Sequence, residues 1–534
     1  MPADPSKTTI SIPQEEEIFS SKDSTSRPEE PPLESTPSSI TPPLPTSTSP
    51  PQETTPTQEI PPPIGPPAPP QEFFFKDQPS SGGLKNLFLK LLIPLAIIII
   101  VILVFKLLTA FVSRIKSPSP ESKKEAKATL TYWGLWEPEE VIQPLVQEYQ
   151  SSHPGITINY QKQNNQQYRQ SLQYALEKEG APDIFRLHNS WLPMFKNNLA
   201  PMPEDVKKTL SPDNIFYPIH KSEVSINGQY YALPLEIDGL GLFINNEIFQ
   251  NAGKSPPTTW DELRQTAIDL TVKDEAEKIK IAGVALGTPA NIDHWSDILA
   301  IMMLQNGVDF KNITQNSDLA EGALNYFTLF TRIHKIWDET LPHSTAAFAT
   351  GKLAMYFGPS WEAIDIHALN PDLDFRIIPI PQLPDPNSSS GKTNLTWASY
   401  WVEGVNKNSK NIKQAWEFLT FLSQKQTLEK LFENAKNSGR LFGEPYPRSD
   451  MVPLLESDKY LGAYIRQAPS SQSWFLCSRT WDEGINDKMI EYFATAVNAV
   501  NQGKTPKKAI QDLNQGINQV LSQYGLITSS AQPQ

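Results

Sequence analysis

The polarity pattern divides the chain into three stretches. Residues 1–83 show no apolar period of either helix or strand. Leu91–Phe105 (LLIPLAIIIIVILVF) is continuously apolar between Lys90 and Lys106, and Leu107–Ser113 continues it. From Ala128 onward the pattern is that of a folded domain. Ala128–Trp133 (ATLTYW) alternates and is rich in β-branched and aromatic residues, which predicts a strand. Val141, Ile142, Leu145, Val146 and Tyr149 recur at helical spacing across Glu139–Tyr149. His153-Pro154-Gly155 reads as a turn, Ile156–Tyr160 as a second strand, Tyr168–Leu176 as a helix and Asp183–Leu187 as a third strand. Strand–helix–strand–helix–strand predicts a parallel sheet covered by helices. Ligands of such sheets bind beyond the carboxyl ends of the strands, here Trp133–Glu137 and His188–Trp191.

Composition sharpens the division. Of 50 prolines, 20 lie in residues 1–75, which also carry 3 basic and 11 acidic side chains. Such a stretch cannot bury a core and reads as an acidic Pro/Ser/Thr tail with extended runs. It holds −8 of the net charge of −13, leaving −5 for the remainder, which is no footprint for nucleic acid. Fifteen apolar residues span about 22 Å of helix against a hydrocarbon core of about 30 Å, so Lys90 and Lys106 must snorkel if the segment crosses a bilayer. No small-residue cleavage site and no cysteine stands directly after it, so residues 87–113 read as one permanent transmembrane helix, with 114–127 a polar linker. The only cysteine, Cys477, excludes an intrachain disulfide.

The folded part resembles the family 1 bacterial extracellular solute-binding proteins, the periplasmic-type receptors of sugar-importing ABC transporters that include the maltose-binding type. The resemblance rests on fragments in a common order: Leu130–Trp133, His153–Ile156, Ala181-Pro182-Asp183-Ile184, Asn227–Pro234 (NGQYYALP), Leu242–Phe249 (LFINNEIF) with Pro256–Leu263 (PPTTWDEL), Phe348–Met355 (FATGKLAM) with Gly358-Pro359-Ser360-Trp361, and Ala415–Leu419 (AWEFL). It implies an α/β, type II periplasmic-binding fold in residues 128–530. Two lobes would be joined by a hinge, lobe 1 from about 128–236 and 401–444, and lobe 2 from about 240–395 and 448–527. Crossings are expected near 236–240, 395–400 and 443–448. The departures are the apolar anchor and proline-rich tail at the N-terminus, and Ile244 where the family carries tyrosine.

A sugar presents flat C–H faces and a rim of hydroxyls, so its receptor needs aromatic plates and carboxylate or amide partners. The resemblance places ligand contacts at Trp136, at the His188, Asn189 and Trp191 segment, at Asp238 on the first crossing, at His294 and Trp295, and at Trp361. Trp397, Tyr400 and Trp401 lie at the second crossing, where strand alternation turns about half toward ligand; Trp397 and Tyr400 are taken, with Trp474 and Trp481 as a late aromatic wall. Trp260 and Trp416 are read as packing residues.

Enzyme and metal signatures are missing from the sequence. Gly391-Lys392-Thr393 lacks the first glycine of a phosphate loop. The seven histidines form no metal-ligand spacing, so neither metal nor cofactor is expected. The expected function is capture of a sugar or oligosaccharide and its delivery to ABC permease subunits. A sensor of the same fold and an extracellular carbohydrate-active enzyme are the alternatives. A receptor of this kind lies outside the cell, which puts the tail in the cytoplasm and the lobes outside, tethered to the lipid bilayer. The lysines and arginines on either side of the apolar run favour the opposite orientation, but folded domains translocate largely regardless of charge.

Overall fold

The computed structural model describes residues 127–527 and Lys106. The proline-rich tail and the apolar run Leu91–Phe105, Lys106 apart, lie outside the described residues. Among the described residues no helix is long and apolar enough to cross a membrane.

The first elements follow the polarity pattern. Strand β1 (Ala128–Gly134) leads into α1 (Glu139–Ser152), whose buried residues are Val141, Ile142, Leu145, Val146 and Tyr149, the predicted stripe. Strand β2 (Ile156–Lys162), α2 (Tyr168–Leu176) and β3 (Ile184–His188) complete two parallel crossovers, with β1 paired to both β2 and β3. Strand β4 (Ala232–Pro234) is the last element before the chain leaves this sheet.

The second sheet begins with β5 (Gly241–Asn245). Helix α3 (Trp260–Leu270) starts at a capping box in which Thr259 accepts from the Glu262 N–H and Glu262 reaches back to the Thr259 N–H, satisfying donors the helix itself cannot. Strands β6 (Val272–Lys273) and β7 (Ile279–Val284), helices α4 (Trp295–Gln305) and α5 (Ser317–Arg332), strand β8 (Leu353–Gly358), helix α6 (Glu362–Leu369) and strand β9 (Phe375–Ile378) follow. The sheet order is β9-β5-β8-β7-β6. Its strands β5 and β8 are buried throughout, which explains the apolar runs Leu242–Ile244 and Leu353–Phe357.

The chain returns through β10 (Thr396–Trp397) to β11 (Trp401–Val405). The latter inserts antiparallel between β3 and β4, giving the first sheet the order β2-β1-β3-β11-β4. Helices α7 (Ile412–Leu422) and α8 (Lys425–Asn437) pack beside α1. Strand β12 (Ser471–Gln472) pairs with β10, and α9 (Ile485–Asn501) and α10 (Pro506–Gln523) pack on α5 of the second sheet's lobe.

Three segments therefore run between the lobes, and they lie side by side. The Ile237 N–H donates to Pro445 O at 3.0 Å, the Ser399 N–H donates to Asp238 O at 3.0 Å, and Gly239 bridges Ala398. Gly239 is required here: a Cβ would lie 1.8 Å from the carbonyl oxygen of Trp397.

Candidate functional site

A cavity of about 470 Å³ opens where the strand ends of the two lobes meet the crossings. From the first sheet, β1 ends into Trp136, β3 ends at His188, and β11 begins at Trp401. These three line one side. Trp401 meets Trp136 edge-on at 5.5 Å between ring centroids and His188 at 5.2 Å. The His188 ring is fixed by Ser190 Oγ at 2.8 Å and Ser399 Oγ at 3.1 Å, and burial pushes its pKa down to about 3, so it is neutral.

From the second lobe, Gly358-Pro359-Ser360 turns off β8 and presents Trp361 to the cavity. His294, in the left-handed region with φ 60° before α4, packs edge-on to Trp361 at 5.4 Å. Its Nε2 meets Glu362 Oε1 at 2.9 Å and its Nδ1 meets Ser478 Oγ at 2.7 Å. That is the connectivity of a nucleophile relay. Three N–H groups along the cavity are already taken: those of Gly239 and Ser360 by Asp238, and that of Ser478 by Asp297. His294 thus ties Glu362 of the second lobe to Ser478 on the cavity wall. Trp481, 36% exposed, lies on the cavity wall 6.1 Å from Trp136 between ring centroids.

Asp238 sits in the first crossing. It accepts from the Gly239 N–H at 2.8 Å, the Ser360 N–H at 3.0 Å and the Ser360 hydroxyl at 2.8 Å. Burial outweighs these bonds and pushes its pKa up to about 7. Below Trp136 and Trp401 lies a buried ion network. Arg186 on β3 donates to both oxygens of Glu137 at 2.9 and 2.8 Å and to Glu403 at 2.7 Å. Burial raises Glu137, but attraction to Arg186 and its hydrogen bonds prevail, holding that carboxyl below its ordinary range; burial keeps Glu403 above it. Glu236 accepts from the Trp401 N–H at 2.9 Å, and burial followed by the neighbouring Glu444 pushes it well up. Carboxylate oxygens of Glu137, Glu236 and Glu444 lie within 4.8 Å of one another, with Arg186 and Arg440 as their counter-ions.

Six of the sequence-selected residues thus come together around the cavity: Trp136, His188, Asp238, His294, Trp361 and Trp481. The other six lie outside its lining. Asn189 ties the Tyr400 N–H to the Ser473 hydroxyl, and Trp191 is buried between Tyr168 and Phe195. Trp295 is buried in the first turn of α4. Trp397 donates to Asp297 at 2.7 Å, and Tyr400 packs on His220 at 4.7 Å. Trp474 stacks on Phe310 at 5.2 Å and an interplanar angle of 9°. Sequence reasoning left out Glu236, Asp365, Arg440, Glu444 and Arg479, all on the cavity wall. Glu236 carried a usable signal, being a charged residue in the apolar crossing Leu235–Leu240 two positions from Asp238.

A family model described as bacterial extracellular solute-binding protein matches residues 144–439, more than half of the chain. The chain belongs to this family. Among relatives of this solute-binding protein, the diacetylchitobiose binding protein DasA of Streptomyces coelicolor is 26% identical over 294 residues, covering 51% of this chain and 66% of the relative. The maltotriose-binding protein of Pyrococcus abyssi is 24% identical over 259 residues, covering 47% and 53%. A solved cyclo/maltodextrin-binding protein in complex with maltotetraose superposes with a TM-score of 0.60 at 18% identity, covering 75% of this chain and 99% of that one. The cyclic α-maltosyl-1,6-maltose binding protein of Arthrobacter globiformis gives 0.59 at 20% identity, covering 74% and 100%. These likenesses establish for the solute-binding protein the two-lobed α/β fold of the periplasmic-binding type.

Proposed function

We propose that this solute-binding protein captures a sugar or oligosaccharide between its lobes and, tethered to the membrane by Leu91–Phe105, passes it to an ABC import permease. The observation that carries the reading is the cavity wall. Trp136, Trp361, Trp401 and Trp481 supply apolar plates, and Asp238 and Glu236 supply acceptors for hydroxyls between them. The relatives named for diacetylchitobiose and maltotriose point to the same ligand class. The family's members are binding proteins, and no reaction is assigned to the cleft. The lobes stand outside the cell on the linker 114–127, which keeps the captured solute near the permease.

The test is a thermal-shift screen of the full chain in detergent against mono- and oligosaccharides. Ligand at 100 times its Kd adds about 2.7 kcal/mol to stability. Unfolding entropy for some 400 residues is about 0.8 kcal/mol/K, so the expected rise is about 3 °C. Trp361→Ala removes a plate and should weaken a binding sugar at least ten-fold in a folded protein. A folded parent that responds to no sugar would overturn the reading.

A further inference from the structure

Two parts of the cavity wall meet behind the lining at one buried amide. Asn486, in the first turn of α9, is fully buried. Its Nδ2 donates to Ser190 Oγ at 2.7 Å and to Asp482 Oδ2 at 2.9 Å, and its Oδ1 accepts from the Cys477 N–H at 3.2 Å. Burying an amide is costly unless its bonds are made, and here both donors and the carbonyl are used. The first bond leads to the end of β3. Ser190 Oγ also meets His188 Nδ1 at 2.8 Å, and the Ser190 N–H donates to the same nitrogen at 3.4 Å. With Asn486 donating to Ser190 Oγ, the serine hydroxyl turns its proton to His188 Nδ1. The neutral ring then carries its hydrogen on Nε2, which donates to Ser399 Oγ on the cavity wall. The second bond leads to the loop that brings Arg479 and Trp481 to the cavity. Asp482, fully buried, collects the N–H groups of Gly484, Asn486 and Asp487 at 2.8, 3.1 and 3.2 Å. Arg479, Trp481 and Glu483 stand in the left-handed region, at φ 58°, 48° and 41°. Non-glycine residues keep that region only where their surroundings enforce it. This stretch of wall therefore depends on what holds it from behind.

We propose that Asn486 is a positioning residue for solute capture: one amide sets the His188 end of β3 and the Trp481 loop against each other, and so fixes the spacing of two parts of the cavity wall. Asn486 lies outside the lining and acts through Ser190 and Asp482. The inference rests on the sugar-binding reading and adds the residue on which its geometry turns. Without the amide, the loop relaxes out of the left-handed region and takes Trp481 with it. Ser190, freed of its donor, no longer dictates which nitrogen of His188 carries the hydrogen.

The experiment uses the full chain in detergent, labelled with fluorotryptophan and observed by fluorine NMR. The chain has 12 tryptophans, and Trp481→Phe assigns the Trp481 resonance by its loss. Asn486→Ala should shift or broaden that resonance while most of the others stay in place. Asn486→Leu keeps the volume and should do the same, which covers an alanine variant that fails to fold. Ser190→Ala cuts only the branch to His188 and should leave the Trp481 resonance where it is. Calorimetry with maltotriose and with diacetylchitobiose should show at least a ten-fold loss of affinity in the Asn486 variants and a smaller loss in Ser190→Ala. An unmoved Trp481 resonance in a folded Asn486 variant, or parental affinity for a sugar that the parent binds, would overturn this inference and leave the sugar-binding reading standing. Movement of all the tryptophan resonances together, with a lowered melting temperature, would overturn it in favour of a purely structural role. A folded parent that binds neither sugar, with Trp481 displaced in Asn486→Ala, would speak against the sugar-binding reading and uphold the placement of Trp481 by Asn486.

Discussion

Replacing Arg186 by methionine tests whether the ion network beneath the cavity is a structural necessity. The arginine meets two carboxylates at 2.7–2.9 Å with 2% of its surface exposed. Arg186→Met fills the volume but leaves Glu137 and Glu403 facing each other without a cation. Removing one partner of a buried pair costs about 3–5 kcal/mol. With an unfolding entropy of about 0.8 kcal/mol/K for some 400 residues, the melting temperature should fall by about 4–6 °C at pH 7. The pH dependence has a definite sign. In the parent, Glu137 is held below its ordinary range, so its contribution is present above the unfolded carboxyl range near pH 4.5 and lost as pH falls through the depressed value. The variant lacks that contribution, so the two melting curves should converge toward acid pH. The triple variant Arg186→Met, Glu137→Gln, Glu403→Gln removes the stranded charges and should recover part of the loss. Scanning calorimetry of the three proteins from pH 2 to 8 decides the matter. A single variant within 1 °C of the parent at pH 7, or a triple variant less stable than the single, would refute the reasoning.

Two further perturbations address the crossings. Gly239→Ala puts a Cβ against the Trp397 carbonyl and should both lower the melting temperature and abolish sugar-induced shifts, as seen by thermal shift with circular dichroism reporting the fold. Asp238, raised to about 7, keeps a proton in the folded chain that the unfolded chain has lost, so its contribution to stability declines as pH rises from about 4 to 7. Asp238→Asn should flatten the ligand-free melting temperature across that window; a slope equal to the parent's would show that another group is responsible.

The local period of the chain was enough to find the first three strands and two helices, because each buries a face that its own residues define. It was not enough for β11. That strand sits between β3 and β4, partners some 200 residues earlier, and only the pairing of Trp401 with His188 reveals which side of the strand faces the cavity. Alternation also failed across the second crossing. Trp397 and Trp401 share parity, yet the irregular stretch Ala398–Tyr400 between β10 and β11 breaks the pleat, so Trp397 turns to Asp297 while Trp401 turns to the cavity. The resemblance to the solute-binding family drew Trp191 and Trp474 into the predicted site, whereas their rings pack on Phe195 and Phe310. The buried network is invisible to local pattern altogether. Arg186 and Glu403 are 217 positions apart, and nothing near either one signals the other.

The place of Asp238 has a consequence for how such a receptor can diverge. One residue fastens the first crossing to the second through its carbonyl, fastens both to the end of β8 through its carboxylate, and looks into the cavity. Any solute that draws on this carboxylate draws on the bonds that set the angle between the lobes. Affinity and closure are therefore a single trait at this position, and a change of diet cannot be made here without retuning the joint. The loop that carries Arg479 and Trp481 is held instead through Arg479 to Asp293, apart from this carboxylate, and new tastes can arise there.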